Sequence, residues 1–220
     1  MLGGRVRLYR GTYNPTSDAA WLAAFAADIP AKTVLDIGVG TGGAILCLLA
    51  NNNIKSATGI DVSDKMLAEC AKNAKLNNRN IELINADIMN WRTPRTFDLV
   101  ITNPPYFRGT PASHNAHHNA NIVKWTKKSV ARVRPHGTFC TIVDAAVASE
   151  VISAISGTCG DIAVSPLFST KHTAERVIIR ARVGSHGPTV VYDGLSMNCD
   201  LVLRDGLTIS NTLATLDAQC

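Results

Sequence analysis

The chain has 220 residues, of which 46% are hydrophobic and 18% charged, so its length and apolar content suffice to bury one complete core. No stretch approaches the ~18 consecutive apolar residues of a membrane span, and the arginine-containing N-terminus lacks the apolar segment of a secretory signal. The formal net charge of +5 favours an anionic partner.

Short apolar runs rich in β-branched residues alternate with longer helical patterns along the chain. Residues 1–30 form a helical N-terminal segment, and strands are predicted at 33–37, 56–60, 81–84, 97–102, 138–143, 162–165 and 176–182. Helices are predicted at 44–50, 63–77, 120–133 and 145–156. This alternation implies crossover connections and an α/β fold with a mostly parallel sheet covered by helices on both faces. Residues 31–183 would form the core of a single domain, followed by a terminal hairpin or extension at 184–220.

A glycine-rich segment, DIGVGTGG at 36–43, follows the first predicted strand. Gly38 and Gly40 permit a tight turn with close backbone approach, and the following helix offers free N–H groups. With Gly43 they also satisfy the G-x-G-x-x-G pattern, so the glycines alone leave a dinucleotide site open. Asp36 favours another ligand, because its carboxylate is suited to a cationic α-amino group and unsuited to a neighbouring pyrophosphate.

Acidic residues follow the next two predicted strands. Asp61 ends the second strand, where a carboxylate can accept from both ribose hydroxyls of NAD or of S-adenosylmethionine. Asp87 can accept from an adenine amine between Ile88 and Val62, although in isolation it fits a helix cap as well. The predicted cofactor-binding residues are Asp36, Gly38, Gly40, Thr41, Gly42, Asp61, Val62, Asp87, Ile88 and Asn103.

The fourth predicted strand leads directly into the sequence NPPY at 103–106. The two prolines fix φ and remove two N–H donors, which produces a rigid extended turn at the carboxyl end of the strand. The Asn103 side-chain oxygen and the Pro104 carbonyl can then act as hydrogen-bond acceptors. The predicted catalytic residues are Asn103, Pro104, Pro105 and Tyr106.

This turn suits chemistry at a planar amino group. An exocyclic adenine amine is a poor nucleophile because its lone pair is conjugated with the ring. Two acceptors that bind its two hydrogens favour tetrahedral nitrogen and free the lone pair for attack on a sulfonium methyl group. Tyr106 offers a stacking surface worth about 1–3 kcal/mol to a base that is unpaired or flipped. In isolation, the turn also fits a proline-stiffened loop with a buried tyrosine.

These residues together resemble class I S-adenosylmethionine-dependent methyltransferases, in particular the amino-methylating group with the motif [DNS]PP[YF]. The resemblance covers about residues 30–182 and implies a Rossmann-like, seven-stranded fold with S-adenosylmethionine as cofactor. The tyrosine form of the motif is found in N6-adenine methyltransferases of DNA and RNA and in N5-glutamine methyltransferases of release factors. Guanine-N2 enzymes often have phenylalanine instead.

The flanking segments are similar to bacterial tRNA1(Val) adenine-N6 methyltransferases. Residues 11–23 (GTYNPTSDAAWLA) resemble their G-Y-x-x-x-x-D-A-x-L-L-A motif, and residues 175–179 (ERVII) resemble their late Arg-x-Leu/Ile strand. The sequence AHHN at 116–119 departs from the Arg-His-Glu that this family commonly has after the NPPY turn. The resemblance implies a monomer that methylates an unpaired anticodon-loop adenine of tRNA.

Two basic clusters are candidates for contacts with RNA phosphates. One opens the chain and the other lies on the helix predicted at 120–133, where a solvated helix face is an equally common explanation. The predicted RNA-binding residues are Arg5, Arg7, Arg10, Lys124, Lys127 and Lys128.

Other functions stay open on the sequence. A protein N5-glutamine methyltransferase would use the same turn but usually has a large additional N-terminal helical domain. Other rRNA or DNA amino-methyltransferases are similar alternatives. A binding or scaffold protein would show a degraded glycine turn or a broken NPPY, and an NAD-dependent oxidoreductase leaves NPPY unexplained.

The histidines and cysteines bear on metals and on cellular location. His114, His117 and His118 have plausible spacing for metal ligands, but no Cys or Asp cluster accompanies them, so we expect a mobile polar substrate loop and no metal. The six cysteines are scattered without a C-x-x-C pair. This pattern favours free thiols in a reducing cytoplasm. No membrane partner is expected, because no stretch of the sequence is long and apolar enough to span a bilayer.

Overall fold

A nine-stranded sheet forms the centre of the protein. The computed structural model describes residues 1–11, 15–105, 115–169 and 172–218, with the backbone alone over 115–121. The strands are β1 Thr33–Ile37, β2 Ser56–Asp61, β3 Glu82–Asn85, β4 Phe97–Thr102, β5 Val133–Asp144, β6 Cys159–Phe168, β7 Arg176–Val183, β8 Val190–Val191 and β9 Leu195–Ser196. The helices are α1 Ser17–Ala27, α2 Gly43–Asn51, α3 Asp64–Leu76, α4 Asn115–Val130, α5 Ala148–Ile155, α6 Asp200–Leu203 and α7 Ile209–Asp217.

The strand order is β3-β2-β1-β4-β5-β7-β6-β8, and β9 also pairs with β6. The first five strands in this order are parallel, whereas β7 is antiparallel to both β5 and β6. The chain moves outward from β1 to β3 and then returns to β4 on the other side of β1. The register pairs Ile37 with Ile60 and with Thr102, so the carboxyl ends of β1, β2 and β4 lie side by side. A reversal of strand order at this point creates the crevice in which α/β proteins bind ligands.

Hydrophobic clusters lie on both faces of the sheet. One cluster joins α1, α2 and α3 to residues such as Leu99 and Ile101 of β4. The other cluster joins α4 and α5 to Val100 of β4 and Ile179 of β7. Alternate residues of a strand point to opposite faces, and both faces are buried. This burial explains why the central strands are nearly continuous apolar runs in the sequence.

The predicted α/β architecture with a mostly parallel sheet is confirmed, but the predicted number of strands and several element bounds are wrong, among them the start of β5, which lies at Val133 and not at 138. The sheet has nine strands instead of seven, because β8 and β9 add two residues each at the β6 edge. Such short strands have no periodicity that a sequence could reveal. Residues 190–196 do not form a terminal hairpin, because both short strands run parallel to β6, and two helices follow them.

Helix α4 begins at Asn115, five residues before its predicted start at Ala120. His117 and His118 therefore lie in a helix, and the prediction of a polar substrate loop is wrong for both residues. The sequence does not predict the first turn of α4, because its histidines and asparagines give no apolar periodicity. His114, the third residue of that prediction, lies outside the described residues.

Candidate active site

A cavity of about 610 Å³ lies beyond the carboxyl ends of β1, β2, β3 and β4. Its volume is within the range of about 300–1,000 Å³ that is typical of small-molecule sites. The predicted site residues that line it are Asp36, Gly38, Gly40, Thr41, Asp61, Val62, Asp87, Ile88, Asn103, Pro104 and Pro105. The topology therefore brings the glycine turn, two of the acidic strand ends and the proline turn into one site.

The glycine turn has the backbone conformation that its sequence predicts. Gly38 and Gly40 have φ angles of 74° and 53°, a left-handed region that residues with a Cβ adopt only at a cost. The N–H groups of Gly38 and Val39 both donate to the Ile60 carbonyl, at 2.9 and 3.0 Å. These bonds fix the turn to the end of β2 before any ligand binds.

The residue beneath this turn must also be glycine, for reasons of space. Gly59 lies in β2, directly under Val39. A Cβ at position 59 would lie 2.8 Å from Cγ2 of Val39, which is closer than real carbon contacts allow. The absence of a side chain at Gly59 lets the glycine turn lie close to the sheet.

Asp61 connects the glycine turn to the segment that follows β2. Its Oδ2 accepts from the Gly40 backbone N–H at 2.9 Å, and its Oδ1 accepts from the Ser63 backbone N–H at 2.9 Å. Ser63 in turn caps α3 by accepting from the Met66 N–H. Because an ionised carboxylate has about four acceptor positions, Asp61 can accept further hydrogen bonds from a ligand.

Asp36 is buried in the cavity wall, with 2% of its surface exposed. Its Oδ2 has no hydrogen-bond partner among the described residues. Burial, aided by the nearby Asp61 carboxylate, raises the pKa of Asp36 from 3.8 to about 7, and a hydrogen bond from the Ile45 backbone opposes the rise. A cationic group placed beside Asp36 would favour the ionised form.

Two further polar atoms of the cavity wall are buried without a partner among the described residues, Oγ1 of Thr41 and Oδ1 of Asn103. Buried polar groups in native proteins are almost always hydrogen-bonded, so each such atom calls for an explanation. With Asp36, three such atoms belong to residues that line one cavity. A ligand with ammonium, hydroxyl and amino donors would satisfy all three, and S-adenosylmethionine together with an amino-group acceptor fits this requirement.

The end of β4 is held by a chain of hydrogen bonds that the sequence did not reveal. The Thr102 hydroxyl donates to the Ile37 carbonyl at 2.8 Å and accepts from Nε1 of Trp125 at 3.1 Å. The Thr141 hydroxyl donates to the Thr102 carbonyl at 3.0 Å. These contacts join β1, β4, β5 and α4 just before Asn103, and Trp125 also lines the cavity.

Some predicted site residues have other surroundings. Gly42 is not among the lining residues, and a Cβ there would lie 2.8 Å from the Cys70 sulfur, on the α3 side of the turn. Asp87 lines the cavity while its carboxylate accepts from the Met89 backbone and from the Asn90 side chain, at 2.9 and 3.1 Å. Tyr106, and the stretch 12–14 of the N-terminal motif, lie outside the described residues.

The two basic clusters lie on different faces of the sheet. Arg5 donates to Asn51 and to the Asp205 carbonyl, and Arg7 donates to the Leu76 carbonyl, all on the face of α2 and α3. The lysines of the second cluster are exposed on α4, on the opposite face. No group of three or more potential metal ligands occurs in the described part of the chain. No described helix has the length and apolar character needed to cross a membrane.

Comparison with known proteins agrees with this geometry. Residues 34–137 match a family model described as a methyltransferase domain. A predicted O-methyltransferase from Agrobacterium tumefaciens has a similar solved structure, with a TM-score of 0.68 and 22% identity over 82% of this chain and 88% of that one. The fold is the Rossmann-like methyltransferase fold that the sequence predicted, and residues 34–137 are similar to a methyltransferase domain.

Curated relatives share this domain. A tRNA1(Val) (adenine(37)-N6)-methyltransferase from Glaesserella parasuis is 31% identical over 136 residues, which is 58% of this chain and 57% of the relative. A release factor glutamine methyltransferase from Flavobacterium psychrophilum is 42% identical over 76 residues, which is 34% of this chain and 27% of the relative. The chain thus spans little more than half of the first relative and about a quarter of the second.

Proposed function

We propose that this protein transfers a methyl group to the N6 amino group of an unpaired adenine in the anticodon loop of tRNA. The observation that carries the proposal is the Asn103 side chain at the carboxyl end of β4. Its Oδ1 is buried, has no partner among the described residues and belongs to the wall of the 610 Å³ cavity. An acceptor in this position suits an amino group that must be oriented before it reacts.

We propose a place in this cavity for S-adenosylmethionine, which when bound supplies an electrophilic methyl group on a sulfonium centre. Asp36 would pair with its ammonium group, and this pairing would offset the burial that raises the pKa of the carboxyl. Asp61 would accept from the ribose hydroxyls with the acceptor positions that Gly40 and Ser63 leave open. Val62, Ile88 and Asp87 would surround the adenine ring.

The proline turn orients the acceptor amine. Asn103 Oδ1 and the Pro104 carbonyl accept its two N–H bonds, and this weakens conjugation between the nitrogen lone pair and the ring. Pro105 has no N–H to compete for these acceptors. The Thr102 contacts with Ile37 and Trp125 hold the turn in place, so the mechanism relies on orientation. The nitrogen becomes cationic and acidic once it is methylated, and it would release one proton to solvent from its hydrogen bond with Asn103 Oδ1 or the Pro104 carbonyl, so no strong general base is needed. Tyr106 is proposed to stack on the base.

The choice of RNA over protein as the acceptor rests on charge and on relatives. The basic residues proposed to contact RNA phosphates are Arg5, Arg7, Arg10, Lys124, Lys127 and Lys128. One relative, whose match covers 58% of this chain, is named as a tRNA adenine-N6 methyltransferase. The described cysteines are free thiols, which supports action in the cytoplasm. That the protein acts as a monomer and without a metal is part of the proposal.

A second acceptor, a glutamine side-chain amide of a release factor, is favoured by the 42% identity of the shorter match. An amide nitrogen is conjugated like an adenine amine, so the same two acceptors would orient it. The two acceptor groups differ in the molecule that carries them. The adenine belongs to a polyanion, tRNA, and the glutamine belongs to the surface of a protein.

Labelled S-adenosylmethionine tests the proposal when the protein is incubated with total tRNA and, separately, with a release factor. We expect label in tRNA and, after digestion to nucleosides, in N6-methyladenosine. The Asn103→Ala variant is the control for background transfer. Label in the release factor alone would overturn the tRNA proposal, and label in another nucleoside would overturn the choice of adenine.

A further inference from the structure

A second cavity, of about 710 Å³, lies on the α4 face of the sheet. It is next to the cavity of about 610 Å³, which we call the methyl-transfer cavity after its proposed function. We refer to the second cavity as the basic groove. Residues 89–94 form one wall, and Lys128 and Arg132 lie on the other. With Arg92, three cationic residues line the groove, and none of the described residues lining it is acidic.

The residues that line the groove adjoin residues that line the methyl-transfer cavity. Ile88 lines the first cavity and the next residue, Met89, lines the groove. On the opposite wall, Trp125 lines the first cavity and Lys128, about one helical turn further along α4, lines the groove. A polymer with one residue in the methyl-transfer cavity would therefore have a path along α4 for its neighbours.

The cations of the groove are not neutralised by neighbours. Arg95 and Arg134, which flank this region, are paired with Glu82 and Asp98. No ion pair within the described residues involves Arg92, Lys128 or Arg132. Unpaired cations in one groove, with paired ones around it, create a local positive potential that attracts a polyanion.

One of these cations is also held in position. Nη1 of Arg132 donates to the Thr93 carbonyl at 2.6 Å, which ties the end of α4 to the opposite wall. The guanidinium has five N–H donors, so others stay available for a phosphate. Trp91 is half-buried against the hydrophobic cluster and offers an apolar surface in the same wall. A fixed guanidinium next to an anchored aromatic ring suits a nucleic acid strand, whose phosphates and bases alternate.

We infer that the basic groove binds the phosphates of the RNA strand next to the nucleotide being methylated. This inference rests on the proposed function and adds Arg92 and Arg132, which the sequence did not assign to RNA. The adjacent walls of the two cavities carry it, because a base that enters the first cavity remains covalently joined to neighbours that must lie outside.

The test compares two triple variants that each remove three positive charges. The first is Arg92→Gln/Lys128→Gln/Arg132→Gln in the groove. The control is Lys72→Gln/Lys75→Gln/Arg79→Gln, on or just after α3, on the other face of the sheet, where all three residues are exposed. Binding of tRNA is measured by fluorescence anisotropy at several salt concentrations, and S-adenosylmethionine affinity serves as the check of folding.

For tRNA binding, the slope of log K against log salt is negative. We expect the groove variant to make it less steep by about 0.7 for each phosphate that it no longer binds, or roughly 2 for three phosphates. The control should keep the wild-type slope, and both should bind S-adenosylmethionine normally. Equal slopes for the groove variant and the wild type would overturn the inference, and so would an equal reduction in the control.

Removal of the Arg132 bond to Thr93 could itself disturb the fold, so a second variant retains it. Arg92→Gln/Lys128→Gln should make the negative slope of log K against log salt less steep by about 1.4. If wild-type protein methylates only a release factor while the groove variants lose tRNA affinity, the proposed function fails, and of the groove assignment the binding of RNA phosphates stands but not its place beside a methylated nucleotide. If wild-type protein methylates tRNA and the groove variants bind it unchanged, the groove assignment alone fails.

Discussion

The parallel and antiparallel parts of the sheet share a hydrophobic core but contribute differently to the site. Every described residue that lines the methyl-transfer cavity comes from α1 and its approach, from the carboxyl ends of β1 and β2, from the segments after β1 to β4, or from α4. None comes from residues 133–218, which include the antiparallel strands β6 and β7. Parallel strands deliver all their carboxyl ends to one edge, whereas antiparallel neighbours alternate. The parallel half therefore concentrates polar groups, and the antiparallel half supplies apolar packing.

The largest effect is expected at the end of β4 in the parallel half. Asn103→Ala should lower the rate constant of methyl transfer by about 10²–10³, because it removes one of the two groups that orient the amine. Affinity for S-adenosylmethionine should change little. Single-turnover transfer from labelled S-adenosylmethionine and calorimetric titration measure the two quantities. A rate near that of the wild type would remove the basis of the mechanism.

Asp61→Ala should act on cofactor binding. We expect the dissociation constant of S-adenosylmethionine to rise about 10- to 100-fold, since the variant removes charge-assisted hydrogen bonds of about 1.5–3 kcal/mol. The Gly40 N–H also loses its acceptor, which loosens the turn. Asp64→Ala, three residues further on, removes the same charge outside the cavity lining and serves as the control. A defect in turnover at saturating cofactor, with normal affinity, would contradict the assignment.

The raised pKa of Asp36 predicts that the free energy of unfolding decreases as the pH rises. The folded carboxyl has a pKa of about 7 and the unfolded one about 3.8, so between these values the folded protein holds a proton that the unfolded chain releases. Without cofactor, the free energy of unfolding should decline from about pH 4 to about pH 7, by up to about 1.4 kcal/mol per unit. Urea unfolding of wild type and Asp36→Asn measures this, and a variant with the wild-type pH dependence would contradict it.

The smallest effect is expected in the antiparallel half. Ile179 of β7 is fully buried, and Ile179→Val should lower the free energy of unfolding by about 0.5–1.5 kcal/mol. Methyl transfer and S-adenosylmethionine affinity should stay at wild-type values below the unfolding temperature. A clear reduction of either activity, measured beside chemical denaturation, would show that the two halves are coupled more tightly than the cavity lining indicates.

The sequence predicted those parts of the fold that local chemistry determines. The bounds of β1 and β4 were predicted correctly, because an apolar run meets a glycine turn in one case and prolines in the other. Once the strands are parallel, the residues that follow them must share one edge, so Asp36, Asp61 and Asn103 could be placed together before the structure was known.

The parts that depend on packing between distant elements could not be predicted. Trp125 reaches Thr102 because α4 crosses the sheet at a particular angle, and its sequence shows only a tryptophan in a helix. Gly42 shares the turn with Gly38 but lies toward Cys70, a direction set by the φ of 89° at that residue. The basic groove joins residues about 35–40 apart in the chain, and no local pattern connects them.

Gly59 shows how a position without chemistry can be as intolerant of change as one with it. Any side chain there would collide with Val39 and lift the glycine turn from β2, which would displace the backbone groups that face the cavity. A genetic screen for inactive variants would then recover substitutions at Gly59 beside those at Asp61. Such a screen therefore identifies residues that set the distance between the glycine turn and the sheet, as well as residues that contact a ligand.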